Sequence, residues 1–311
     1  MKLNMMKNDS LQRVSVGKLI IILVLAGFLG AAGLRPAAGA EVNPPCPETG
    51  ARPHLILNTR VGSITIELFE DAAPQTVKRL IKMARGPIFN PQLTSSSSGN
   101  PGVGYFDGLG FSMTKPHLEI SITSRLPESQ FEFPAEIDAD ALGLDQQLIA
   151  DAGEAMDIAQ MELYPAHRKL KKRGGTTGKL RAWLDQLTQD GNADFLVGIS
   201  RKEINEALGY RYRDGLVSRP AVRGMVALRP LSKTTAGGSL TILLADHPQR
   251  TGRWMIVGRI VDGLSVAEEI SLLPLSGPPG WRNRAFTPRD PVLITESEIH
   301  VCQTGNSEGG K

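Results

Sequence analysis

The sequence predicts a mainly β domain, in which an antiparallel sheet is covered by amphipathic helices and interrupted by a helical insertion. Three features predict this class: a hairpin of alternating apolar residues, a helix directly after it, and later alternating segments that follow a region of helical spacing. With 311 residues, of which 41% are hydrophobic, the chain has enough apolar side chains for a core of this kind.

The chain begins with residues 1–40, which are typical of an export signal. An apolar run extends from Leu19 to Leu34, and small residues precede Glu41 in the pattern of a cleavage site. The run is shorter than the roughly 20 residues that a membrane-spanning helix needs. We therefore expect a cleaved leader, an exported protein that is periplasmic or extracellular, and no stable membrane span after cleavage. Residues 41–52 then form a Pro-rich linker.

The net charge of +3 belongs mostly to this leader. Residues 1–40 carry five positive side chains and one negative, which leaves 30 positive and 31 negative in the rest of the chain. This balance argues against a nucleic-acid partner. The one dense basic run, residues 167–173, contains no aromatic side chain and is interpreted as a solvated helix end rather than as a patch for an anionic partner.

Residues 55–84 predict a β-hairpin followed by a helix. Apolar residues alternate with polar ones on both sides of a tight turn at Val61-Gly62. Pro74 suits the first turn of a helix, since its missing N–H is not needed there. The apolar residues that follow have helical spacing and are Val77, Leu80, Ile81 and Ala84.

The rest of the chain divides into strands and two insertions. A serine-rich stretch predicts a mobile loop insertion over 86–104. Helical spacing, which starts at Leu142, predicts a helical insertion over about 138–210, a surface that a partner protein could contact. A capping box at Ser265 and Glu268 predicts a second covering helix that ends at Leu273. A closing strand covers 292–301, so the domain spans 53–303 and leaves a tail at 304–311.

No metal or cofactor site is predicted. The chain has five histidines and two cysteines, with neither Cys-x-x-Cys nor His-x-x-x-His spacing. Gly237-Gly238 is better explained as a turn before a strand than as a phosphate-binding loop.

Three segments resemble the cyclophilin family. Residues 104–113 read GYFDGLGFSM, with the spacing of the family's Gly-Tyr-Tyr-Asp-Gly and Phe-His-Arg segments. Residues 235–245 resemble the family's Asn-Gly-Ser-Gln-Phe-Phe-Ile strand, and residues 252–263 resemble the Gly-Lys-x-x-Val-Phe-Gly-Arg-Val-x-x-Gly hairpin after it. The resemblance implies a closed antiparallel β-barrel of about eight strands capped by two helices. It also implies isomerisation of prolyl bonds in a peptide or protein client, without a cofactor.

The resemblance also implies which positions line the groove, and this chain differs from the family at most of them. Met113 stands where the family has its catalytic arginine, and Glu119 and Arg250 stand where it has the apolar Met and Leu of the proline pocket. We therefore assign no catalytic residue. Arg229 and Arg250 are alternative donors, although solvated rim positions are favoured for both. The groove positions are Phe111, Ser112, Met113, Leu118, Glu119, Ser121, Arg229, Pro230, Ser239, Thr241, Gln249, Arg250 and Trp254.

Two functions remain open at this stage. The first is an exported isomerase or foldase with a weak or inactive site, and the second is a non-catalytic peptide-binding or assembly protein on the same scaffold. The resemblance further implies that the terminal strands lie side by side. We therefore expect Cys46 and Cys302, the only two cysteines, to form a disulfide.

Overall fold

The computed structural model describes residues 52–85, 104–123, 132–171, 178–276 and 286–301. The signal peptide at 1–40, the linker up to residue 51, both cysteines and the tail lie outside the described residues, as does the loop insertion except for Gly104. None of the described helices is both long and apolar enough to cross a membrane.

The described chain forms one antiparallel sheet of nine strands, eight of which follow one another in the order β3-β4-β7-β6-β8-β2-β1-β9, while the short β5 pairs with β7. The strands are β1 His54–Thr59, β2 Ser63–Leu68, β3 Phe111–Lys115, β4 Glu119–Ile122, β5 Phe133–Pro134, β6 Met225–Pro230, β7 Thr235–Leu243, β8 Met255–Asp262 and β9 Ile294–His300.

The two edge strands of this sheet, β3 and β9, approach each other at their beginnings. Gly110 bridges Leu293, the Phe111 amide donates to the Val292 carbonyl at 2.9 Å, and the Ile294 amide donates to the Leu109 carbonyl at 2.8 Å. The predicted antiparallel sheet of about eight strands is therefore confirmed. It is a curled sheet whose edges meet at one bridge rather than along a full ladder.

Two helices cover the core side of this sheet. The first, α1, spans Pro74–Ala84, and its residues Val77, Leu80 and Met83 are fully buried in the main core. The last, α6, spans Leu264–Ser271 and buries Ala267 and Ile270 there. Its predicted capping box is wrong: the N-cap is Gly263, in the left-handed region at φ +81°, and a Cβ there would lie 2.1 Å from the Ser63 carbonyl oxygen.

Residues 138–210 are called here the helical segment, and their described part, 138–171 and 178–210, contains four α-helices and a core of its own. The helices are α2 Ala152–Ile158, α3 Tyr164–Lys171, α4 Gly178–Asp190 and α5 Arg201–Ala207, with a π-helical turn at Ala159–Leu163 between α2 and α3. Leu163, Leu180, Leu196 and Ile204 are buried in this second core. The predicted helical spacing starts too early at Leu142, because residues 140–146 form turns and α2 begins only after its cap, Asp151.

Asp138 joins the two ends of the helical segment. Its carboxylate accepts hydrogen bonds from the backbone N–H groups of Asp140 and Ala141 on one side, and of Gly215 and Leu216 on the other. Burial acts most strongly to raise the pKa of Asp138, but these four bonds outweigh it and hold the pKa below its usual value. The charge is thus stabilised where the chain leaves the sheet and returns to it.

Candidate peptide-binding groove

Several of the predicted groove positions lie together on the outer face of the sheet. Across neighbouring strands Met113 lies opposite Ser121, Ser121 opposite Thr241, and Thr241 opposite Ala227. Their sequence neighbours Ile120 and Ile242 point to the other face and are buried in the main core. Strand alternation therefore brings residues from four strands into one row, here called the groove row.

Hydroxyl groups occupy the middle of the groove row. The Ser121 Oγ and Thr241 Oγ1 atoms are 2.8 Å apart and both side chains are buried. Beside them, Ser239 is buried, and the Ser112 hydroxyl donates to that of Thr123. Small hydrogen-bonded side chains thus stand where the resemblance implies large Gln and Phe side chains.

An ion cluster lies at one end of the groove. Glu119 is 1% exposed, and its carboxylate is 2.5 Å from the Lys115 Nζ and bonded through its other oxygen to the Arg250 guanidinium. The guanidinium also lies 4.0 Å above the Trp254 ring. Arg250, with only 14% of its side chain exposed, is therefore not the solvated rim residue that was expected.

The charges of this cluster reinforce each other. Burial is the largest single effect on Glu119 and raises its pKa, but the hydrogen bonds from Arg250 and Lys115, together with their positive charges, keep the pKa below its usual value. Glu119 is therefore ionised at neutral pH, and Arg250 is bound to a full negative charge.

The remaining predicted positions have varied environments. Phe111 is wrong as a groove residue, because its side chain is fully buried in the main core. Leu118, Gln249 and Arg229 are exposed, so Arg229 agrees with the expected rim position. Pro230 is half-buried and pairs with Ala236 at the end of β6.

Sequence reasoning missed two residues at the groove. Lys115 lies opposite Glu119 across the β3–β4 hairpin, and its opposite charge four residues away was the signal that could have identified it. His247 is buried, and its Nε2 atom is 3.3 Å from the Leu118 carbonyl oxygen. No sequence pattern pointed to His247, since the contact joins residues far apart in the chain.

Among the described residues, one group of carboxylates could in principle hold a cation, namely Asp138, Asp140 and Asp214. Asp138 already accepts its four backbone bonds, and Asp140 is paired with Lys202 at 2.6 Å. The backbone hydrogen bonds of Asp138 and the ion pair of Asp140 account for the position of these carboxylates without a metal ion.

Comparison with known proteins identifies one family. The family model for "Cyclophilin type peptidyl-prolyl cis-trans isomerase/CLD" matches residues 54–299. The comparison with curated proteins finds no match by sequence. Two crystal structures of a Cryptosporidium parvum cyclophilin type peptidyl-prolyl cis-trans isomerase, one of them in the presence of the dipeptide Ala-Pro, are similar at 13% identity and a TM-score of 0.40. They cover 80% of this chain, and 99% and 98% of their own chains respectively.

The family match spans the sheet from the first residue of β1 almost to the end of β9. It therefore includes both covering helices and every strand that contributes to the groove row. This chain belongs to the cyclophilin-type peptidyl-prolyl cis-trans isomerase family.

Proposed function

We propose that this protein is an exported cyclophilin-type protein whose peptide groove has weak or no isomerase activity. One observation carries the proposal: Glu119 and Arg250, at the positions implied for the Met and Leu of the proline pocket, form a buried ion pair. A proline ring gains affinity from an apolar surface. Separating a buried ion pair to admit the ring costs several kcal/mol, of the order of 3 to 5, because each charge loses its partner.

The missing donor supports the same proposal. Rotation about a prolyl bond faces a barrier of roughly 20 kcal/mol, which the family's arginine lowers. Met113 has no hydrogen-bond donor, and the loss of one such donor costs about 3 to 4 kcal/mol. Arg250 is already bonded to Glu119 and stacked on Trp254, so it is a poor substitute. The same features favour the second candidate function, a non-catalytic peptide-binding or assembly protein.

A protease-coupled assay with prolyl peptides tests the proposal. We expect little or no turnover from the purified protein, and no rescue by Met113→Arg alone, because a new arginine needs the apolar pocket to orient the substrate. Adding Glu119→Met and Arg250→Leu to Met113→Arg should raise turnover. Arg181→Leu, which removes an exposed arginine of α4 that is not a groove position, is the control and should leave turnover unchanged. Strong turnover by the unchanged protein that is lost in Arg250→Leu would mean that Arg250 acts as the donor, and the proposal would be wrong.

Export and the disulfide between Cys46 and Cys302 are part of the proposal. Support comes from the leader's residue pattern and from the pairing of β1 with β9, in which His54 lies opposite His300. His54 is eight residues after Cys46, and His300 is two residues before Cys302. A bridge there would close a loop of most of the chain and stabilise it by roughly 5 kcal/mol in the chain-entropy model. N-terminal sequencing of exported material should begin at Glu41. Titration of the unreduced, denatured protein should find no free thiol, and two thiols would rule the bridge out.

A further inference from the structure

Residues 247–254, called here the arginine loop, connect the groove to the helical segment. Arg250 extends from this loop toward Glu119 in the groove. Arg253, three residues later, extends to the helical segment, where its guanidinium is bonded to Glu162 and donates from Nε to the Asn205 Oδ1 atom at 2.8 Å. One short loop therefore carries two arginines with different partners, one in each part of the molecule.

Backbone hydrogen bonds connect the loop residues between the two arginines. The backbone N–H groups of Arg253 and Trp254 both donate to the Arg250 carbonyl at 2.9 Å, and the Arg250 N–H donates to the His247 carbonyl at 2.8 Å. Successive bonds of this kind leave few free dihedral angles between the two side chains. A displacement of Arg253 would therefore move Arg250 as well.

The helical segment also contacts the loop backbone directly. Gly252 is buried at φ +72°, and a Cβ on it would lie 2.3 Å from the Leu144 Cδ1 atom. Leu144 is itself held, because its carbonyl accepts the Lys202 N–H at 3.0 Å next to the start of α5. The helical segment therefore packs against the arginine loop at Gly252, which lies between Arg250 and Arg253.

Glu162, the partner of Arg253, lies in the π-helical turn between α2 and α3. Such turns widen a helix locally and redirect its side chains. Glu162 binds two arginines, Arg253 and also Arg201 at 3.1 Å at the start of α5. Asn205, which receives the other donor of Arg253, is buried on α5. The Arg253 side chain is therefore bound by residues of the π-helical turn and of α5.

We propose that the helical segment positions the groove cation: Arg253, held by Glu162 and Asn205, is a positioning residue that keeps Arg250 on Glu119 and over Trp254. The inference rests on the proposed function only for the identity of the groove. The helical segment would then control the shape of the peptide site without contacting the peptide.

The test uses the purified protein labelled with 5-fluorotryptophan, which gives one fluorine resonance for each of its three tryptophans. Trp254→Phe assigns the Trp254 resonance, and Arg250→Leu gives its position when the guanidinium is absent. Arg253→Leu should move the Trp254 resonance toward the Arg250→Leu position. Arg201→Leu, which removes the other arginine on the same Glu162 carboxylate, is the matched control and should leave Trp254 unchanged.

Glu162→Gln keeps the size of the side chain and decides the outcome if Arg253→Leu does not fold. It should also move the Trp254 resonance toward the Arg250→Leu position. Arg253→Lys should move it less than Arg253→Leu, since a lysine pairs with Glu162 but cannot reproduce the two-sided bonding. An unchanged Trp254 in folded Arg253→Leu, or an equal shift in Arg201→Leu, would overturn the inference. This test measures a fluorine resonance and not turnover. Strong isomerase activity in the separate peptide assay would therefore contradict the proposed function without contradicting this inference.

Discussion

At the scale of single residues, Glu119 best shows how the groove differs from an apolar pocket. It lies on a strand at a fully buried position, and a carboxylate is stable there because two cations reach it from different directions. Lys115 comes from the opposite strand of the same hairpin, whereas Arg250 comes from the arginine loop, 131 residues later. A buried carboxylate with only one of them would lose much of this compensation.

Glu119→Gln should destabilise the protein in a pH-dependent way. The folded pKa of Glu119 lies below the ordinary value of 4.5, so the ionised side chain stabilises the fold above that value and loses this effect as the pH falls through the folded pKa. Urea unfolding at pH 7 should show a loss of about 1 to 3 kcal/mol in the variant. The difference should shrink steadily below pH 4.5.

The control for this experiment is Asp185→Asn, which removes an exposed carboxylate paired with Arg181 one helical turn away. Its effect should be small at every pH, because exposed pairs contribute less than about 1 kcal/mol. A constant difference between wild type and Glu119→Gln from pH 7 to pH 3 would contradict the ionised, paired state of Glu119.

At the scale of elements, α1 shows how a helix can depend on a distant residue. Its N-cap residue, Ala73, has no side chain that can accept a hydrogen bond. The buried carboxylate of Glu136 takes this role, accepting the Gln75 N–H at 3.1 Å and the Thr76 N–H at 2.9 Å. A negative charge at this end also interacts favourably with the helix dipole. The chain after β5 therefore fixes the start of α1.

Glu136→Ala should weaken α1 at its beginning. We expect a loss of about 2 kcal/mol in the free energy of unfolding, since a cap is lost and two N–H groups are left without a partner. Hydrogen exchange at Gln75 and Thr76 should accelerate more than exchange at the end of the helix. Glu132→Ala, at an exposed position four residues earlier, is the control. Equal effects of both variants would mean that Glu136 does not cap α1.

At the scale of the whole molecule, the sheet and the helical segment have separate hydrophobic cores, which are connected by Tyr212, packed against both, and by a few further contacts. The main core lies under the curled sheet, and the second lies within the helical segment. Asp138 fastens the ends of the segment, and Arg253 and Gly252 contact it at the arginine loop. Segments with their own core can open locally while the remainder stays folded.

Asp138→Asn should loosen the helical segment. An amide has one acceptor oxygen where the carboxylate has two, so its NH₂ group would face two of the four backbone N–H donors. Limited proteolysis should cut the segment faster, and stability should fall by about 1 to 3 kcal/mol. Asp140→Asn removes only the ion pair with Lys202 and should have little effect. If both variants behave alike, Asp138 does not fasten the segment.

The class of fold was predictable from local patterns, because alternation, helical spacing and turn residues are properties of short stretches of sequence. The hairpin and α1 were predicted from short stretches of sequence. The groove positions on β3, β4 and β7 were assigned through the resemblance to the cyclophilin family. Met113 and Ser121 were therefore assigned to one surface before any tertiary contact was known.

The pairing of charged side chains, in contrast, depends on how distant parts of the chain fold together. Glu119 and Arg250 each looked like isolated departures from the family pattern, and their pairing depends on a loop folding over a hairpin. The same holds for Glu136 on α1, for Gly263 against the Ser63 carbonyl, and for Arg253 on the helical segment. Each contact joins residues far apart in the chain, and its energy comes from burial and distance, which local patterns of residues do not encode.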